Sequence, residues 1–345
     1  LDKLFVNNDK YNFPFGNISS NRDVDLMIDG DNFFSKHIAI VGSTGSGKSC
    51  AVAKILHDIV GISGEQEYIK KEKQNNSHVV IFDIHSEYEA AFRLVDEQKY
   101  TLNNLNIDNL KLPYWLLKSE ELESMFIESS ERESHNQISQ FKHAVILNKV
   151  KYNPQIKDIK YDTPVYFSIK EVYNFIYNKN NLTVYKSADR LLFATLSNEI
   201  EYSEDKLWEK IVFETSTGNS KHKEFNEKVS KYGGFTGEFN KFISRLETKL
   251  SDKRLEFLLN PTSEDGRSYK TDDFEEIMKQ FLGYINKANV TIIDLSGVPF
   301  EVLSISVSLI SRMIFDFLFH YSKLKLEKGS LNDIPVMIVC EEAHN

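Results

Sequence analysis

The sequence predicts an α/β fold: a parallel sheet built around a nucleotide phosphate loop, interrupted by a mainly helical insertion. Three observations carry the prediction. GSTGSGKS at Gly42–Ser49 lies between an apolar run, His37–Val41, and a segment with helical apolar spacing, Cys50–Val60. Three further apolar runs, His78–Asp83, Val290–Asp294 and Val336–Glu342, each end in an acid. A long segment of different character, rich in Lys, Glu, Asn, Phe and Tyr, separates the first of these runs from the other two.

The first element is a strand over His37–Val41 that feeds the loop and then a helix over Cys50–Val60. Glycines let the backbone curl so that successive N–H groups face phosphate oxygens. Lys48 adds a cation, Ser49 a hydroxyl ligand for Mg²⁺, and the helix its positive dipole end. Gly42, Ser43, Thr44, Gly45, Ser46, Gly47, Lys48, Ser49 and Cys50 are therefore the expected binding residues for ATP or GTP. A Gly/Ser-rich linker, the bland alternative, would have polar flanks.

The other apolar runs read as buried parallel strands, because they are continuous rather than alternating. Their acids then emerge at the carboxyl edge of the sheet, where ligands bind in open α/β folds. Phe300–Tyr321, following Pro299, reads as the crossover helix between the second and third of these strands. The nucleotide core is thus assembled from about Phe33–Tyr100 and Ala288–Asn345.

Within the insertion, Ser119–Ser129, Ser134–Lys151, Ser168–Tyr177 and Ser187–Glu201 carry apolar residues at helical spacing, each entered by a serine suited to capping. Phe235–Leu259 resumes that periodicity, with Phe239, Phe242, Ile243, Leu246 and Leu250 on one face. Asn178–Leu182 and Gly218–Lys223 read as exposed connections.

Composition excludes little. With 345 residues, 41% of them hydrophobic, the chain has material for a large core and a second unit. The formal charge of −9 argues against a uniformly basic DNA-coating surface, though a ring can confine phosphate contacts to its pore. The most apolar stretch, Val302–Tyr321, is broken by Ser304, Ser306, Ser308, Ser311, Arg312 and Asp316, so no membrane partner is expected. Cys50 and Cys340 lack metal-ligand spacing and suit a reducing, cytoplasmic setting. The start at Leu1, without a secretory leader, reads as a beginning inside a longer protein.

Hydrolysis needs a carboxylate strand as well as a phosphate loop, and PVMIVCEEAHN supplies adjacent acids after an apolar strand. Glu341 is expected to hold the metal with Ser49, and Glu342 to orient the attacking water. Lys48, Glu341 and Glu342 are thus the candidate catalytic residues. Asp83 and Asp294 also end strands, and either alone would pass as the metal-side acid; acids merely solvated at a strand end are the bland reading. Asp83, His85 and Glu87 suit phosphate sensing, and capping of the next helix by His85–Glu87 is the equal alternative.

In order along the chain, HIAIVGSTGSGKS, IFDIHSEYEA, RLETKLSDKRLEFLL, TIIDLSGVP and VMIVCEEAHN resemble the signatures of the HerA/FtsK-type ATPases, and within them the HerA-like branch. LPYWLLKSEEL resembles the start of that family's helical insertion, so the resemblance runs from about residue 33 to the end. It implies a RecA-like P-loop NTPase core that binds ATP and Mg²⁺ and assembles as a homo-hexamer around double-stranded DNA, with ATP sites between subunits.

On this reading residues 1–32 are the end of an N-terminal β-barrel region or a linker. Residues 33–110 form the first part of the core, 111–285 the insertion, and 286–345 the second part, ending after the acid strand. The family continues with a polar sensor strand and arginine motifs. Arg245 and Arg254 are the candidates here for an arginine acting on a neighbour's nucleotide, although most helical arginines pair locally, as Arg254 could with Glu247 or Glu256. His344 is a candidate link from the γ-phosphate to neighbouring subunits, or a plain loop residue.

The function implied is an ATP-hydrolysing DNA translocase or helicase working beside a nuclease or other effector, in a bacterial antiphage context. The alternative is a nucleotide-gated ring scaffold that regulates a partner such as a nuclease or NAD-degrading enzyme. A conjugative or secretion pump motor would require a membrane anchor.

Overall fold

A computed structural model describes residues 12–60, 78–93, 101–128, 134–196, 199–217, 219–263, 265–283, 289–330 and 335–343. In chain order the elements begin with β1 (Asn12–Ile18), β2 (Asn21–Asp29), α1 (Gly30–Phe34), α2 (Lys48–Ile59), β3 (His78–Asp83), α3 (Tyr88–Arg93) and β4 (Leu102–Leu105). They continue with α4 (Ser119–Phe126), α5 (Ser134–Tyr152), α6 (Ile169–Asn181), β5 (Thr183–Ser187), β6 (Arg190–Phe193), β7 (Val229–Lys231), α7 (Asn240–Leu250) and α8 (Glu256–Leu259). The last are α9 (Phe274–Phe281), β8 (Val290–Asp294), α10 (Phe300–Glu327) and β9 (Val336–Cys340). Two units emerge. One comprises Leu1–Leu110, Met278–Gly297 and Ile310–Asn345; the other comprises Lys111–Ile277 and Val298–Leu309.

The first unit holds a parallel four-stranded sheet in the order β4-β8-β3-β9. Continuous Val/Ile runs form its middle because both faces of such strands are covered: Val79, Val80, Ile81, Val290, Ile292 and Ile293 are all buried. Helix α2 lays Val52, Leu56 and Ile59 on this sheet, against Val79, Ile81, Val290 and Ile292, with Tyr88 and Phe92 of α3 in the same cluster. His57 Nε2 lies 3.1 Å from the Ala91 carbonyl oxygen, and its ring meets Phe92 edge-on. Leu56→Ala should therefore cost about 3 kcal/mol, the usual price of a buried leucine cavity; chemical denaturation with an unchanged midpoint would count against this packing.

The predicted strand over His37–Val41 does not form. The segment pairs with no described strand, and Ile38, Ile40 and Val41 are 41%, 38% and 90% exposed. A strand persists only where a neighbour takes up its N–H and C=O groups, and among the described strands β9 pairs with β3 alone. The other strands follow the apolar runs, except that β9 stops at Cys340 and leaves both glutamates in the turn beyond. Residues 12–29, within the segment read as barrel remnant or linker, form an antiparallel hairpin, β1–β2. The crossover helix runs past Tyr321 to Glu327. By length and composition it is apolar enough to cross a membrane, yet Val302, Leu303, Leu309, Ile310, Met313 and Ile314 are buried within the protein.

The second unit is helical with a small sheet. Ser168 caps α6 by accepting from the Glu171 N–H, as its sequence position suggests. Ser119 instead lies inside α4, whose first amide is taken by the distant Asp162 carboxylate at 2.7 Å. That bond draws the Asp162 pKa below the usual carboxylate value. Phe141 packs edge-on between Phe126 and Phe242. Of the apolar face read over Phe235–Leu259, Phe239, Phe242, Ile243 and Leu246 are buried, but the long helix ends at Leu250 and short turns follow.

Two readings of this region are corrected. Ser187–Glu201 does not form a helix: β5 and β6 pair as an antiparallel hairpin turning at Ala188, φ 52°, and β7 joins on the far side of β5. Val184, Tyr185, Leu192 and Phe193 find cross-strand partners there, and that pairing overrides the local helical spacing. Asn178–Leu182 is no exposed connection but the buried end of α6 and the residue after it. The Asn178 side chain donates to the Leu207 and Glu209 carbonyls and accepts from the Ile211 N–H. Such saturation removes the cost of burying an amide. Ser129 and Gly218, at the ends of two predicted segments, lie outside the described residues.

Candidate functional site

The loop from Gly42 curls on itself before α2 begins at Lys48. The Ser46 N–H donates to the Ser43 carbonyl at 3.1 Å, and Gly45 and Gly47 sit at φ 78° and 87°, a region that favours glycine. A Cβ on Gly42 would lie 2.5 Å from Ser46 Oγ, so a larger residue there would have to turn the Ser46 hydroxyl aside. Lys48 Nζ reaches back to donate to the carbonyls of Gly42 at 2.9 Å and Ser43 at 3.3 Å. Thr44, Gly45, Ser46 and Cys50 are exposed, while Lys48 and Ser49 in the first turn of α2 are half-buried. A glycine-permitted cradle, a cation folded over it and a hydroxyl in the first helical turn fit a nucleotide polyphosphate.

At the carboxyl edge of the same unit's sheet the acids converge. Asp83 and Asp294 are partners in register, as are Phe82 and Cys340, so Glu341 follows one position beyond. The turn after β3 grips all three acids. Asp83, fully buried, accepts from the N–H groups of Glu87 and Tyr88 at 3.1 and 2.9 Å. Glu341 Oε2 accepts from the N–H groups of Ile84 at 3.0 Å and His85 at 3.3 Å. Asp294 Oδ2 accepts from Ser86 Oγ at 2.7 Å.

Burial pushes the Glu341 pKa above the usual carboxylate value; the Asp83 charge adds to that, and the two amides and His85 oppose it. The buried Tyr88 phenol is raised by burial first, then by Glu341, Asp83, Glu87 and Cys50. Tyr88 thus feels both the first turn of α2 and the acid edge.

Of the residues read from the sequence, Asp83 caps α3 by accepting from the Glu87 and Tyr88 N–H groups, whereas the capping alternative assigns that role to His85–Glu87. His85 and Glu87 are exposed, and each gives its backbone N–H to one of these acids. Glu342 occupies the turn after β9 with φ 47°. His344 lies outside the described residues. Arg254 pairs with Asp252, at 2.7 Å, and not with Glu247 or Glu256; Arg245 Nε lies 3.4 Å from the Phe126 carbonyl oxygen. Both arginines belong to the second unit.

Among the described residues no three His, Cys, Asp or Glu side chains cluster as a metal cage. For Mg²⁺, which keeps several waters and takes ligands from phosphates, the Ser49 hydroxyl and the Glu341 carboxylate are donors of the right type. Sequence reasoning missed Ser86. Its left-handed backbone, φ 58°, is not signalled by a serine in the sequence, and its partner Asp294 lies far along the chain.

Comparison with known proteins adds two findings. The sequence family described as "Helicase HerA, central domain" matches residues 13–314. A protein of Methanocaldococcus jannaschii, called a probable helicase, is 27% identical over 117 residues. That match covers 32% of this chain and 20% of the relative, so the chain spans a fifth of the relative's length.

Proposed function

The chain belongs to the HerA helicase central-domain family, and on that premise we propose that it is the motor portion of an ATP-hydrolysing, ring-forming DNA translocase. The observation behind this reading is the glycine cradle opening α2, which packs on the sheet whose carboxyl edge carries Glu341. Gly42–Cys50 would hold the nucleotide, with Lys48 on its phosphates and Ser49 and Glu341 on Mg²⁺. The metal would neutralise phosphate charge. Glu342 would take a proton from the attacking water.

A subunit that leaves its nucleotide partly open is completed by a neighbour's cation, which is the physical argument for a closed homo-hexamer. Arg245 and Arg254 are the proposed sources. Double-stranded DNA is the proposed track, and a nuclease or NAD-degrading effector the proposed partner in a cytoplasmic antiphage role.

Turnover of the full-length assembly should rise with duplex DNA, weaken steeply as salt increases and vary little with sequence, because phosphate contacts release counterions and do not read bases. Absence of both stimulation and low-salt binding would favour a second reading. In that reading the ring is a nucleotide-gated scaffold controlling its effector, with the effector's activity rather than DNA-stimulated turnover changed by nucleotide.

A further inference from the structure

We propose that Ser86 and Asp294 are positioning residues for Glu341: together they hold the turn after β3 in the shape that aims two backbone N–H groups at the Glu341 carboxylate. The proposal rests on the reading of Glu341 as the magnesium-side acid.

The turn is fixed at its two ends by one side chain. Asp83 closes it on the Glu87 and Tyr88 N–H groups, and the Asp83 carbonyl accepts from the Leu295 N–H at 2.8 Å, tying the turn to the end of β8. Its middle is Ser86, whose φ of 58° is disfavoured for any residue with a Cβ. Something must offset that strain. Ser86 Oγ donates to Asp294 Oδ2 at 2.7 Å, and Asp294 is itself oriented because its Oδ1 accepts from the Ser296 N–H at 2.9 Å.

With the two ends and the middle held, the remaining turn amides, those of Ile84 and His85, are presented side by side to Glu341 Oε2. Charge-assisted bonds of this kind orient a carboxylate and favour its ionised form. They commit Oε2 to the turn and leave Oε1 as the atom through which Glu341 meets a metal-bound water. Asp294, which by its strand-end position alone would pass as a metal-side acid, is thereby assigned to the support of Glu341.

Native-state hydrogen exchange of the nucleotide-free protein at the Ile84 and His85 amides tests the turn directly. Ser86→Ala and Asp294→Ala should each speed exchange at both amides by about tenfold, as expected for weakening a charge-assisted bond. The double variant should exchange no faster than the faster single one, because both remove the same link. Ser86→Gly, which adopts positive φ without a Cβ cost, should exchange more slowly than Ser86→Ala.

Binding of a fluorescent ATP analogue, titrated with Mg²⁺, then tests the consequence. The magnesium needed for half-maximal binding should rise several-fold in Ser86→Ala, while magnesium-free binding stays as in the wild type. Unchanged exchange in the alanine variants, or strictly additive effects in the double, would overturn the proposed linkage. Faster exchange with an unmoved magnesium requirement would overturn it through the role of Glu341, so the two failures are told apart. Should Asp294→Ala unfold by thermal melting, the Ser86→Gly and Ser86→Ala comparison decides the matter.

Discussion

Lys48→Ala should abolish tight nucleotide binding and turnover while leaving the fold in place. The Lys48 ammonium donates to the loop carbonyls of Gly42 and Ser43, whereas the core cluster is built by Val52, Leu56 and Ile59 further along the same helix. Removing a half-exposed side chain of this kind changes stability by no more than about 0.5 kcal/mol. The lost phosphate charge is not replaced, since among the residues of the loop itself, Gly42–Ser49, Lys48 is the lone cation. Equilibrium binding of a labelled nucleotide and the melting temperature, measured on the same preparation, check both halves. Wild-type turnover in this variant would remove the nucleotide-site assignment altogether.

Glu342→Gln should retain Mg·ATP and slow hydrolysis by at least about a hundredfold, the range lost when a general base is neutralised. Glu342 sits at φ 47°, a conformation a glutamate adopts only where its surroundings hold it. Single-turnover kinetics under saturating nucleotide separate the outcomes. Lost binding would make Glu342 a structural or metal residue, and unchanged turnover would hand the water-orienting role to another group.

Much of this was legible along the chain because local signals are repeated signals. The glycines and lysine of Gly42–Ser49 and the unbroken apolar runs ending at Asp83 and Asp294 specify loop, strand and helix within a few residues of one another, and the structure reproduces those runs as β3 and β8. The serine before α6 caps it for the same local reason. Four of the five HerA-type signatures, read in order, lie within the family match over residues 13–314, and VMIVCEEAHN, with Glu341 and Glu342, lies beyond it.

What the sequence by itself determined, then, is the set of short-range elements: a glycine-rich loop opening a helix, strands ending in acids, and an intervening region with helices. Tertiary structure decided everything that depends on a hydrogen-bond partner far away in sequence. His37–Val41 has a strand's composition but no described strand takes its backbone, and Ser187–Glu201 has helical spacing yet its Arg190–Phe193 stretch pairs as a hairpin with Thr183–Ser187. Asp162 caps α4, Asn178 is saturated by the chain around Leu207–Ile211, and Ser86 answers to Asp294 across the sheet edge. Periodicity records which face of an element is apolar; which polar group satisfies a turn, a cap or a strand edge is settled only when the folded chain brings the two together.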